Sequence, residues 1–316
     1  MSRDSISWHV KNKLGIINVI GEYNMDKIIR CITSDGAVMA SAIDSSDLVY
    51  AAQKIHRTSN VATAALGRLL TAASMMGAQL KKKEATISLR VAGDGPLGVV
   101  IAASDSDGYV RGYVENANCI TEHYQNGKLN VGKAVGQGVL NVMKNFGAGD
   151  PYIGQVPLVS GEIAEDITSY YATSEQLPTI CALGVLVDKV TGEVLFAGGL
   201  LVQLLPGAFE DTIEKLEKNV HDMDSVTAML TKGMSPLDMV HEILKGFEVE
   251  VLDEMEVGYR CTCTRESLEN VIIGLPEEEI RELPDESGVA SAKCHFCNKK
   301  YIFTPEDLEN LIKKKE

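Results

Sequence analysis

The sequence predicts an α+β protein: an N-terminal sheet-and-helix domain, a helical linker, and a small C-terminal zinc-binding domain. Three observations carry this. Strand-like runs separated by turn residues surround a few helices up to about residue 205. Amphipathic helical spacing with an acidic outer face takes over after Pro206. Four of the seven cysteines then form two tight pairs, Cys261 with Cys263 and Cys294 with Cys297. A chain of 316 residues is long enough for two or three domains. The expected boundaries are an extension over 1–24, a core domain over 25–205, an acidic helical linker over 206–256, and a metal-binding domain over 257–316.

The elements follow in order. Lys27 to Thr33 reads as a strand, Ser34-Asp35-Gly36 as a turn, and Ala37 to Ile43 as the returning strand. Residues 59–82 read as a helix capped by Ser59, and its Ala, Leu and Met content predicts burial with close approach of a neighbour. Thr86 to Ala92, Leu97 to Ala103 and Tyr109 to Glu115 form a meander. After a Gly-rich stretch over 127–154, Ser160 is expected to cap a helix with early acids, and Cys181 to Asp188 with Glu193 to Leu205 make a last hairpin. Beyond it, Phe209, Ile213, Leu216 and Val220 repeat at helical spacing. Ser235-Pro236-x-Asp238 and Thr304-Pro305-x-Asp307 are helix-start signatures with proline at the first position.

Composition limits the function. The chain is 45% hydrophobic and 23% charged, ordinary usage for a packed protein. The net charge of −14 speaks against nucleic acid or an anionic membrane as partner, and most of it lies beyond residue 204, read as a solvated face. Uninterrupted apolar runs are short, and the stretch from Leu14 to Ile20 lacks a cleavage site, which argues against secretion and for a reducing, cytoplasmic setting.

Two motifs mislead. Gly93-x-Gly95-x-x-Gly98 spells a dinucleotide fingerprint, yet it opens a strand-like run rather than the helix that would hold a pyrophosphate. Asp105-x-Asp107-Gly108 resembles a calcium loop with both terminal ligands missing. Cys31 and Cys181 sit in apolar strands, and Cys119 with His123 lacks helical periodicity and a base-orienter set.

The clustered cysteines carry chemistry. Two pairs separated by 30 residues suit a tetrahedral four-thiolate zinc site, and His295 is not needed as a ligand. The surrounding unit is small, so a metal would supply much of its folding energy. Two readings stay open on spacing: a zinc-stapled fold, or a redox trigger, since thiolates react with oxidants and each pair is close enough in sequence to bridge. A thiol-disulfide oxidoreductase built on Cys294-x-x-Cys297 lacks the usual helix start. A nucleic-acid zinc module lacks a basic face, because residues 264–293 hold eight acids against three bases.

The chain also resembles the heat-shock protein 33 family, the 33 kDa chaperonins, from about Met25 onward. The resemblance rests on Thr63-Ala-Ala-Leu-Gly-Arg68, Gly93-Asp-Gly-Pro-Leu-Gly98, Arg111-Gly-Tyr-Val114, Gly154 to Asp166, Ala172 to Gln176, and Cys261 to Cys297 with its ending at Tyr301. It implies a redox-regulated chaperone and stress protein that holds unfolding proteins without ATP, and no enzyme. In that scheme the reduced form is inactive and binds one zinc ion per chain through Cys261, Cys263, Cys294 and Cys297. Oxidation forms two disulfides, Cys261–Cys263 and Cys294–Cys297, releases zinc, unfolds the C-terminal redox switch and linker, and yields an active homodimer. The acidic linker would keep its exposed apolar stripe in solution while it binds clients.

Overall fold

The computed structural model describes residues 26–314, so the expected extension over 1–24 lies outside the described residues. The chain forms two compact units that divide between Tyr259 and Arg260.

In the first unit two five-stranded antiparallel sheets are built from β1 (Asp26–Thr33), β2 (Val38–Asp44), β3 (Thr86–Gly93), β4 (Val99–Asp105), β5 (Val110–Val114), β6 (Gly138–Asn145), β7 (Tyr152–Pro157), β8 (Thr179–Val187), β9 (Val194–Leu204) and β10 (Val249–Val257). One sheet runs β10-β1-β2-β9-β8 and the other β5-β4-β3-β6-β7. Helix α1 (Ser46–His56) follows β2, and α2 (Asn60–Ala78) packs against strands of both sheets. Ser59 caps α2 by accepting the Ala62 N–H at 3.4 Å. The small residues expected to allow close approach do so: a Cβ on Gly77 would stand 2.6 Å from the Asp105 carbonyl oxygen. α2 is also the one described helix long and apolar enough to cross a membrane, and 94% of that stretch is buried inside the unit.

The Gly-rich stretch holds more structure than its composition suggests, namely α3 (Val131–Val135), β6 and the start of β7. Gly93 and Gly95 press on α3, where a Cβ would lie 1.9 Å from the Val135 carbonyl oxygen and 2.3 Å from that of Ala134. Close packing, with no phosphate loop, accounts for these glycines. At the other false motif, Asp105 accepts N–H groups from Asp107 and Tyr109, both at 3.1 Å, as a turn residue does.

The helix expected from Ser160 begins later, as α4 (Ala164–Tyr170), and continues into a π-turn over Tyr171–Glu175. The fully buried Asp166 replaces Ser160 as the organising group. Its carboxylate accepts N–H groups from Val159 at 2.7 Å, Ser160 at 3.1 Å, Gly161 at 3.3 Å and Ile163 at 2.9 Å. Those bonds hold Ile163 at φ 73°, a left-handed conformation that costs a β-branched residue about 1–3 kcal/mol.

Residues 206–256 supply α5 (Glu210–Asp222), α6 (Val226–Thr231) and α7 (Pro236–Ile243), and end in β10. The expectation of helices throughout is corrected at this last strand. Its antiparallel pairing with β1 and the Arg30–Asp253 ion pair outweigh its acidic composition. The three helices cover one face of the β10-β1-β2-β9-β8 sheet. There Leu216, Val226, Met229, Leu230, Met239, Val240 and Ile243 are buried with Ile29, Cys31, Val38, Ala40, Ala42, Leu200 and Val202. The Ser235 capping box forms, with Asp238 N–H to Ser235 Oγ at 3.2 Å and Ser235 N–H to Asp238 Oδ2 at 2.8 Å.

The second unit contains α8 (Arg265–Ile273), α9 (Glu277–Glu282), the hairpin β11 (Ala290–Lys293) and β12 (Lys300–Phe303), and α10 (Pro305–Lys313). Thr304 caps α10 through reciprocal bonds with Asp307 at 3.2 and 2.8 Å. Among the described residues its core has eight buried side chains: Ile272, Ile280, Ala290, Tyr301, Phe303, Leu308, Leu311 and Ile312.

Candidate metal centre

Local structure explains how the cysteines meet. Cys261 and Cys263 lie in a segment without helix or strand, ended by Thr264. Thr264 caps α8 by accepting the Ser267 N–H at 3.1 Å, while Ser267 Oγ accepts the Thr264 N–H at 2.9 Å. Cys294 to Cys297 occupy the tip of the β11–β12 hairpin. The Cys294 N–H donates to the Lys299 carbonyl at 3.0 Å and the Asn298 N–H returns to Cys294 at 2.9 Å. Asn298 takes φ 60°, a left-handed turn position that asparagine tolerates. The two-residue gap of Cys294-x-x-Cys297 is thus spent on one tight turn that keeps both sulfurs at the tip.

The four sulfurs lie within 4.8 Å of one another. Cys261 Sγ stands 3.7 Å from Cys294 Sγ, and Cys263 Sγ 3.4 Å from Cys297 Sγ. Tetrahedral thiolates about 2.3 Å from one ion are about 3.8 Å apart, so the set fits a single four-coordinate metal. His295 is not part of it. Sulfur donors alone favour soft or borderline ions over calcium or magnesium.

Electrostatics divide the four thiols. Burial, reinforced by hydrogen bonds to the other sulfurs, pushes Cys261 up to about 12. Burial also acts to raise Cys263, but hydrogen bonds from the Tyr301 hydroxyl and the neighbouring thiols outweigh it and bring Cys263 down to about 7. Cys263 is therefore the first to present a thiolate. Tyr301 is the functional residue that motif spacing does not single out. Its hydroxyl lies 3.2 Å from Cys263 Sγ and 3.0 Å from the Cys263 carbonyl oxygen, with one proton to share between them. The available signal is its place on β12, four residues after Cys297, where a strand side chain reaches back over the hairpin tip.

The other three cysteines stand apart. Cys31, Cys119 and Cys181 are buried, and burial raises all three thiols, Cys181 to about 12. They are core side chains held neutral; for Cys31 and Cys181 this is the reading their apolar strands gave, while Cys119 is buried in the loop after β5.

A sheet-and-helix unit followed by a small unit with a cysteine-only metal module defines the class: a multi-unit protein with one clustered thiol centre. Comparison with known proteins gives the family. The model described as Hsp33 protein matches residues 26–304, and the chain belongs to that family. The 33 kDa chaperonin of Clostridioides difficile is 45% identical over 289 residues, covering 91% of this chain and 99% of its own. That of Desulforamulus reducens is 43% identical over 291 residues, covering 92% and 98%. The crystal structure of the 33 kDa chaperonin of Thermotoga maritima superposes with a TM-score of 0.84 at 35% identity, over 93% of this chain and 99% of that one.

Proposed function

We propose that the protein is a cytoplasmic, redox-regulated holdase that binds unfolding proteins without ATP and catalyses no reaction. The observation that carries this reading is the gathering of four thiols in a unit whose buried core is eight side chains among the described residues. Cys261, Cys263, Cys294 and Cys297 are the proposed ligands of one zinc ion per chain in the reduced state. When bound, zinc holds the four sulfurs as thiolates and ties 261–263 to the hairpin tip, on the order of 10 kcal/mol in small zinc peptides.

Oxidation removes that tie. Each hydrogen peroxide takes two thiols to one disulfide and leaves as two waters, so two equivalents consume all four ligands. In the folded unit sulfurs of different pairs also stand close, Cys261 with Cys294 and Cys263 with Cys297. Once the unit loosens, closeness in sequence favours Cys261–Cys263 and Cys294–Cys297, the pairing we propose. The domain roles follow: residues 257–316 are the switch, 206–256 the responsive segment and 25–205 the lasting core. Helices α5 to α7 are short and marginal by themselves. Their release uncovers the apolar sheet face around Cys31, Val38, Ala40 and Val202, a surface suited to unfolding chains. The active form in this reading is a homodimer.

The test is aggregation of a thermally unfolding protein, with reduced and peroxide-treated forms compared while released zinc is measured. Suppression by the oxidised form alone, in step with metal release, is the expected result. Equal suppression by the reduced, metal-bound form overturns the reading.

A further inference from the structure

We propose that the first unit carries a binding site for a small phosphate monoester with an apolar body. The site is a cavity of about 700 Å³ between the loop after β5, strand β8 and the start of α6. That volume lies within the range of pockets that enclose small organic ligands. This proposal is independent of the thiol centre, whose residues all lie in the second unit.

Charge identifies the ligand. In a chain of net charge −14, the cavity is lined by Arg68, Lys128, Lys189 and His123 and by no carboxylate. Four nearby acids have hydrogen-bond or ion-pair partners of their own. Glu162 accepts from Arg68, from the Tyr124 hydroxyl at 2.8 Å and from the Gly132 N–H at 2.7 Å. Asp188 is held by the N–H groups of Val190 and Thr191 at 2.8 and 2.7 Å. Glu193 pairs with Lys54, and Asp224 with Lys232. Lys128 and Lys189 make no ion pair among the described residues, and Arg68 keeps a buried Nε without a hydrogen-bond partner.

Arg68 is balanced by Glu162, which leaves Lys128 and Lys189 as the cationic side chains of the cavity wall, with the Asp188 carboxylate a charged neighbour of Lys189. Two lysine ammoniums on a wall that carries no carboxylate of its own suit an oxyanion, and a phosphate monoester carries a charge of about −1.5 to −2 near neutral pH. Arg68 and Thr227 both line the wall, so a guanidinium and a hydroxyl-bearing side chain are at hand. Leu183, Val185 and Val187 of β8 supply an apolar side. A free inorganic phosphate satisfies the cations but leaves this side unused, which is why the proposal includes an apolar body.

The test uses the full-length reduced, metal-bound protein, labelled with nitrogen-15 and titrated with phenyl phosphate, inorganic phosphate and phenol. Phenyl phosphate is expected to shift amides of residues 123–129 and 183–189 with a dissociation constant of about 1 mM or below. Inorganic phosphate should compete more weakly, and phenol should leave these amides still. The exposed pair Lys128→Ala with Lys189→Ala should weaken phenyl phosphate at least tenfold while thermal unfolding is unchanged. Arg68→Lys, which keeps the charge toward Glu162 but loses the fork, should weaken it in part. The proposal is overturned by no shifts at about 10 mM phenyl phosphate, by equal shifts with phenol, or by unaltered affinity in the double lysine variant.

Discussion

Met229 offers the sharpest probe of how residues 206–256 are held. It lies on the six-residue helix Val226–Thr231 and is fully buried against the sheet face that includes Leu200 and Val202. Truncation to alanine removes most of its packing and leaves a cavity, at a cost of about 2–5 kcal/mol. At about 1.4 kcal/mol per tenfold, the open state of this layer gains roughly 30- to 4000-fold in population. The helix α2 belongs to a separate buried cluster and should not feel the change. Hydrogen exchange on the reduced, metal-bound Met229→Ala protein reads this directly: amides of 210–257 should lose about two orders of magnitude of protection while those of 60–78 keep theirs. The same protein should suppress client aggregation at lower peroxide than the parent. If protection falls over 210–257 and the peroxide requirement does not move, the covered sheet face is not the surface that holds clients. If 60–78 loosens equally, the two cores open as one and the layered account fails.

Three further outcomes are expected. Metal analysis of a Cys261→Ser and Cys294→Ser double variant should find tight zinc lost, and full occupancy would place the metal elsewhere. A triple variant with Ala at Cys31, Cys119 and Cys181 should keep its response to peroxide at some cost in stability, because those thiols are buried and held neutral; loss of the response in the folded triple variant would move the switch into the first unit. Asp26 is buried at 6% exposure, and burial, with the nearby Asp44 and Asp47, raises its carboxyl well above the ordinary value. The folded state therefore binds this proton more tightly than the unfolded state. Its contribution to stability is present at low pH and is lost as pH rises through the raised value. Urea midpoints of the parent should thus decline with pH relative to Asp26→Asn, and parallel profiles would refute this.

Much of this architecture is legible locally because its signals are local. Ser59, Ser235 and Thr304 each cap a helix within three or four residues of themselves, and the small residues of 60–78 announce a helix packed on several sides. The four-sulfur cluster is readable because two tightly spaced pairs are visible in the sequence, one of them spaced for a hairpin tip. What stays hidden depends on distant partners. The strand β6 lies in a Gly-rich stretch, and Gly138 is small because its Cβ would stand 1.9 Å from the Ala92 carbonyl oxygen on β3. The start of α4 is governed by Asp166 reaching back to residues 159–163, so the nearer serine is passed over. The strand β10 reads as acidic linker, since four of its nine residues are Glu or Asp and only its alignment with β1 makes it a strand. Tyr301 shows its role only when the hairpin folds it over Cys263.

The pairing of β10 with β1 also sets a timetable for synthesis. Arg30 and Asp253, joined across these strands, are 223 residues apart. At about 5–20 residues per second on the ribosome, β1 waits about 10–45 s for its second neighbour. It can zip to β2 at once, but its other edge stays open, and an open edge is a template for unwanted strand addition. The nascent chain is thus, for that interval, the kind of molecule that needs protection from aggregation. Lys27 and Arg30, which in the finished protein grip Glu254 and Asp253, stand on β1 throughout the wait. Charges of this kind on an edge strand deter pairing with strangers until the intended acidic partner emerges.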